Sequence, residues 1–238
     1  MKHFTQFLLA PLAATVGLAS FPGVAGAFGL SFVNDDHDFN DLNPNLAFVA
    51  EGRIGNNAMN GTHELNFHGT DEDNPTATSD QADYVWTRGS LTVFKLMYDA
   101  TTRNISYQVG ETILNSIANN NAVSDIFIRA RATVSESSIA IANLVFNGTP
   151  LSQSLAIAGT NNWSDSMEYL RISGFTDSFT LEGTSIMSWG DTRPSNSNLA
   201  YQIKVGNAEA VPEPLSVLGL GVGASGLAFL KKRRQRPA

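Results

Sequence analysis

Cysteine is absent from the 238-residue chain, and with it go disulfides, thiolate metal centres and cysteine nucleophiles, though the compartment stays open. Stability must come from packing, helped at most by bound ions. Basic residues are scarce between the ends. Residues 28–210 keep nine lysines and arginines against 21 acids, about −12. Such a surface repels nucleic-acid phosphates and anionic lipid. Nucleic-acid binding is excluded, and neutral polysaccharide, divalent cations or other proteins remain as partners. Only three tryptophans occur, at 86, 163 and 189. Long apolar runs occur only at the two termini, and the length between them suits one domain.

The N-terminal run begins after Lys2 with Phe7, Leu8, Leu9 and Ala10, and closes on Ala25-Gly26-Ala27. Charge, apolar stretch and Ala-x-Ala are the order of a secretory signal peptide. We expect residues 1–27 to be removed by signal peptidase after Ala27, following passage through the Sec translocon. At the other end, Val211-Pro212-Glu213-Pro214 precedes an uncharged stretch over 215–230 and a basic tail over 231–238, with Lys231, Lys232, Arg233, Arg234 and Arg236. As a helix the stretch spans roughly 24 Å, somewhat short of a hydrocarbon core of about 30 Å. It reads as a marginal single transmembrane helix, and the positive-inside rule keeps its tail cytoplasmic and the preceding domain outside. The run Gly221-Val222-Gly223-Ala224-Ser225-Gly226 matches a dinucleotide fingerprint, but no βαβ unit surrounds it.

Taken as a set, Pro212, Glu213, Pro214, the apolar helix and the basic cluster resemble the bacterial PEP-CTERM sorting signal. The resemblance implies recognition by an exosortase-type membrane protease and removal of the tail. It also implies residence in the cell envelope, on the surface or in the extracellular matrix, alongside extracellular polysaccharide.

Between the ends, strand patterns recur at residues 47–54, 62–68, 83–86, 90–98, 104–109, 125–134, 138–146, 168–173, 178–181, 184–189 and 200–205. Asn, Asp, Gly and Ser clusters separate them. The turn from Asp99 to Asn104 and the turn Asn147-Gly148-Thr149-Pro150 read as hairpin connections. We therefore expect an all-β domain over 28–206, an antiparallel two-sheet β-sandwich of jelly-roll type. A helix is expected over 112–120 from Ile113, Leu114 and Ile117, and a linker over 207–214. The phrases Ala82-Asp83-Tyr84-Val85-Trp86, Tyr98-Asp99-Ala100-Thr101-Thr102, Ile172-Ser173-Gly174-Phe175 and Leu199-Ala200-Tyr201-Gln202-Ile203-Lys204-Val205-Gly206 resemble the choice-of-anchor extracellular domains. That resemblance implies surface placement and brings no catalytic residues.

No catalytic centre emerges. His63-Glu64-Leu65-Asn66-Phe67-His68 starts like a zinc-protease motif, but five positions separate the histidines where H-E-x-x-H needs four. There is no nucleophile elbow. Glu51, Glu64, Glu136, Glu168 and Glu182 are the acids from which a glycosidase pair would be drawn, and ordinary surface acids are the default reading. The loop holding Asp35, Asp36, Asp38 and Asp41, and a second from Asp71 to Asp83, carry the oxygens calcium prefers, yet neither has the EF-hand glycine and terminal glutamate. Calcium is the one cofactor to consider, with solvated acidic loops as the simpler reading. Trp163, flanked by Asn161, Asn162, Ser164 and Asp165, is the candidate glycan contact, while Trp86 and Trp189 should pack in the core. The expectation is a non-enzymatic envelope or matrix protein, structural or adhesive. The alternatives are a carbohydrate-binding module and a polysaccharide hydrolase.

Overall fold

The computed structural model describes residues 28–33, 36–40, 42, 45–55, 64–68, 80–120, 122–160, 162 and 165–207. Among these, fourteen strands and one short helical turn are arranged as two antiparallel sheets packed face to face.

Sheet A runs in the order β1 (Gly29–Val33), β12 (Met167–Ser173), β8 (Asp125–Ala132), β14 (Leu199–Gly206), β2 (Leu46–Ile54), β3 (Leu65–His68) and β4 (Asp80–Ala82). Sheet B runs β10 (Thr149–Pro150), β9 (Ser138–Phe146), β13 (Phe179–Ser188), β5 (Leu91–Tyr98), β6 (Asn104–Val109) and β7 (Thr112–Ile117), with β11 (Leu155–Ala158) also paired to β9. Period-two patterning makes the core. Phe94, Leu96 and Tyr98 of β5 face Phe48, Ile203 and Tyr201 of sheet A, and all are buried. The rings of Phe48, Tyr98 and Phe179 contact one another across the two sheets. The Tyr107 hydroxyl donates to the Tyr201 hydroxyl at 2.7 Å, which satisfies a polar pair in a largely apolar interior. Burial pushes both phenols above their ordinary value.

The helix expected over 112–120 is a strand over Thr112–Ile117, paired with β6 along its whole length. Ile113 and Ile117 are four apart, a spacing that shares a face on a strand as well as on a helix. Both point outward and are more than half exposed, while Leu114 alone is buried. Residues 83–86 are not a strand, although Trp86 is buried and its indole donates to the Arg53 carbonyl at 2.8 Å. The strands expected at 178–181 and 184–189 are one strand, β13, whose register against β9 shifts between Glu182 and Thr184. Opposite that shift, Asn143 has φ 52°. The inward residues of β9 change parity there, from Ile139 and Ile141 to Leu144 and Phe146, as a β-bulge requires. Both hairpin turns are present: Asp99 N–H donates to the Asn104 carbonyl at 2.9 Å, and β10 folds back on β9.

The described domain begins and ends at one pole. Gly29 pairs with Ser173, Ser173 with Asp125, and Asp125 with Gly206. The first and last strands thus leave the sandwich on the same rung of sheet A, three strand spacings apart, or roughly 14 Å.

Candidate functional site

The two outer faces differ in kind. On sheet A, alternation turns Arg53, Glu51 and Val49 of β2, Gln202 and Lys204 of β14, Phe127, Arg129 and Arg131 of β8, and Tyr169 and Arg171 of β12 away from the core. Register brings them into rungs: Tyr169 lies beside Arg129, Arg129 beside Gln202 and Gln202 beside Glu51. Arg129 Nη2 donates to Gln202 Oε1 at 2.9 Å, Gln202 Nε2 donates to Glu51, and Arg53 Nη1 donates to Glu51 Oε2 at 2.8 Å. Arg171 closes on Asp125 Oδ1 at 2.6 and 2.8 Å. Five of the nine basic residues of the acidic domain thus sit on one sheet face.

The helical turn α1 (Asp36–Asn40) lies across this face. Phe39 and Leu42 are fully buried in a second, smaller core with Leu46, Val49, Phe127 and Tyr169. The Phe39 ring carries the Arg129 guanidinium at 4.6 Å and the Lys204 ammonium at 4.3 Å from its centroid. Lys204 has no exposed surface and donates to Asn40 Oδ1 at 2.9 Å. Asp36 Oδ1 accepts from the Tyr169 hydroxyl at 2.9 Å and from Arg129 at 3.1 Å. Partial burial pushes the Asp36 carboxyl up, but Tyr169, Arg129 and Asn40 outweigh it and hold it below its ordinary value. Burial and the Asp36 contact push the Tyr169 phenol upward, and burial beside Arg129 lowers Arg131.

Among the described residues, nothing covers the outer face of sheet B. Two depressions lie along it. The larger, about 540 Å³, is lined by Met97, Asp99, Asn104, Ser106, Asn115 and Thr180 among others. The smaller, about 320 Å³, is lined by Val93, Lys95, Gln108, Asn143, Glu182 and Thr184 among others. Both volumes fall within the usual range for small-ligand sites or near its lower end. Lys95 pairs with Glu182 at 2.7 Å across β5 and β13. Four of the large apolar side chains left exposed among the described residues, Leu91, Val93, Ile113 and Ile117, belong to this sheet's strands β5 and β7.

The acids from which a glycosidase pair would be drawn are dispersed over the sandwich. Glu51 lies on the outer face of sheet A. Glu64 is buried at the pole away from the termini, where it accepts from Arg193 at 2.8 Å and from the Gly55 N–H at 2.9 Å. Burial raises its carboxyl, and those two partners offset the rise only in part. Glu168 accepts from the Ala156 N–H at the edge of β11, and Glu182 is on sheet B. Glu136 occupies a turn at φ 62°.

Of the acidic loop considered for calcium, Asp36 takes Arg129 as its cation. Asp35 and Asp41 lie outside the described residues, and Asp38 is described in its backbone only. Of the second acidic loop, Asp80 Oδ2 accepts from the Asn115 N–H at 2.9 Å. Among the described residues, no group of three or more carboxylates and imidazoles could hold a metal ion. Trp163, His63 and residues 71–79 lie outside the described residues, as do Ala25, Ala27 and everything from 208 on, including Pro212, Glu213, Pro214, Lys231, Lys232, Arg233 and Arg234. Among the described residues no helix is long and apolar enough to cross a membrane. Trp189 packs against the edge of the core, partly buried.

No family model matches the chain, and no curated protein matches it. Sequence reasoning missed the cover over sheet A and the open face of sheet B. The cover joins residues up to 164 positions apart, which no local pattern reveals. The open face had one signal, the apolar Leu91 and Val93 on the polar side of an alternating strand.

Proposed function

We propose that this chain is an exported cell-envelope or matrix protein, sorted by a PEP-CTERM/exosortase-type system and acting without catalysis in association with extracellular polysaccharide. The observation that carries the reading is the tail of the sequence: Pro212-Glu213-Pro214, an uncharged stretch of helix-spanning character and five basic residues in the last eight. The signal-type N-terminus gives the same topology from the other end. The position of β1 and β14 at one pole supports it, because a domain held near a membrane by a tail after β14 directs its opposite pole outward. The jelly-roll arrangement belongs to this reading. It is supported by the passage of successive strands between sheets, β8 to β9 and β12 to β13 to β14.

A carbohydrate-binding module is the second reading, favoured by the two depressions on sheet B. Hydrolysis has less behind it. Glu51, Glu64, Glu168 and Glu182 each stand in a different place with a partner of their own, whereas a glycosidase needs two carboxylates facing one cleft. Calcium enters only as a staple for the acidic loops, and Asp36 already has its arginine.

The test is made in the native host. Alanine at positions 212, 213 and 214 is expected to leave the chain in the inner membrane with its basic tail intact. An unchanged distribution between membrane, surface and medium would sink the sorting reading.

A further inference from the structure

We propose that the outer face of sheet B is a binding groove for a neutral polysaccharide chain, floored by β13, β5 and β6. The proposal rests on the polysaccharide association proposed above and gives it a site. Two successive depressions share the same two strands, with Met97 and Thr180 in one and Val93, Lys95, Glu182 and Thr184 in the other. From Thr180 to Thr184 the outward residues of β13 span about 14 Å, so the two form one groove along the strands.

The chemistry of the lining selects the ligand. Among the described residues that line the smaller depression, the charged ones are Lys95 and Glu182, which neutralise each other at 2.7 Å. That pair uses one carboxylate oxygen and one ammonium hydrogen, which leaves an acceptor and two donors for a ligand. Gln108 Nε2 donates to the Gly110 carbonyl at 2.9 Å and Asn143 Nδ2 to Thr184 Oγ1 at 3.2 Å. Each amide oxygen then remains as an acceptor. The larger depression adds Asn104, Asn115, Ser106, Ser178 and Thr180, together with the carboxylate of Asp99. Closely spaced amides, hydroxyls and one balanced ion pair match the alternating donors and acceptors of vicinal hydroxyl groups. Val93 and Met97 supply apolar contact for sugar C–H faces. An anionic polymer meets no net positive charge in the groove and is repelled by a domain of about −12. No aromatic side chain among the described residues projects from this face. Stacking is therefore missing, each site is weak, and retention comes from repeated engagement along a polymer.

A second copy of the chain is the competing occupant, because Ile113 and Ile117 are exposed beside the groove. The test uses the full-length chain in mild detergent, run through native gels cast with hydroxyethyl cellulose, dextran, mannan or alginate. At least one neutral polymer should retard it in proportion to polymer concentration, insensitive to salt, while alginate should not. Lys95→Met with Glu182→Gln should weaken that retardation at least fivefold with an unchanged circular dichroism spectrum. Asp36→Asn, on the opposite sheet, should leave it unchanged. No retardation by any of the three neutral polymers, or equal retardation of the double variant, overturns the proposal. So does a dimer in sedimentation that Ile113→Glu dissociates without a change in gel retardation. Because the gels use purified chain, their outcome is independent of processing in the host, and failure of sorting and failure of binding read out separately.

Discussion

Replacing Phe39 by alanine tests whether the helical turn over sheet A is an integral part of the fold. The ring is fully buried, meets Tyr169 at 5.4 Å and Phe127 at 6.5 Å between centroids, and lies under the Arg129 and Lys204 cations. Burying a phenylalanine contributes about 1.5–3 kcal/mol by area alone, and Phe-to-Ala changes in closed cores cost about 3–5 kcal/mol. The turn is short and can collapse onto the sheet, so the lower part of that range, about 3 kcal/mol, is expected. Phe39→Leu separates the terms. Leucine keeps most of the apolar volume but loses the π face, so the loss should fall to about 1–2 kcal/mol, the worth of two partly desolvated cation–π contacts. Urea unfolding of both variants, followed by tryptophan fluorescence, measures the two costs. A Phe39→Ala cost under about 1 kcal/mol would refute the reasoning, and so would equal costs for the two variants.

Two further outcomes follow from the geometry. Gly52→Ala would bring a Cβ within 2.6 Å of the Tyr201 ring, which packing against Trp86 and Phe94 holds in place; a loss of about 1–3 kcal/mol is expected in urea unfolding, and Tyr201→Phe, which keeps the ring, should not relieve it. Asp36 has its carboxyl held below the ordinary value, so its contribution is present above about pH 4 and disappears as pH falls through the depressed value. The difference in melting temperature between the native chain and Asp36→Asn should therefore be largest near neutrality and shrink as pH falls below the ordinary carboxylate range, and a constant difference between neutral and acid pH would contradict the Arg129 and Tyr169 contacts.

Strands with one buried face were legible because their period is local. The segments Ser138–Phe146 and Asn104–Val109 could be bounded from alternation and turn residues alone. The strand Thr112–Ile117 read as a helix because its apolar residues sit at a spacing common to both structures. Pairing with β6, a tertiary contact, decided the matter. The short strands Gly29–Val33 and Leu155–Ala158 have too few residues for a period to show. The acids of the loop at 34–41 are adjacent in sequence and legible there, whereas the arginine that engages Asp36 lies 93 residues away and no local pattern points to it. On sheet B, Lys95 and Glu182 are ordinary surface residues in the sequence, and only the register of β5 against β13 brings them together in a depression.

The measurement that tests the account most directly is the intact mass of the protein recovered from its native host, fractionated into inner membrane, surface and medium. A mature species that starts near Phe28 and ends near Pro212–Pro214, found outside the inner membrane, is expected. A species that retains Lys231 through Ala238 in every fraction would contradict it and make this a permanently tethered domain.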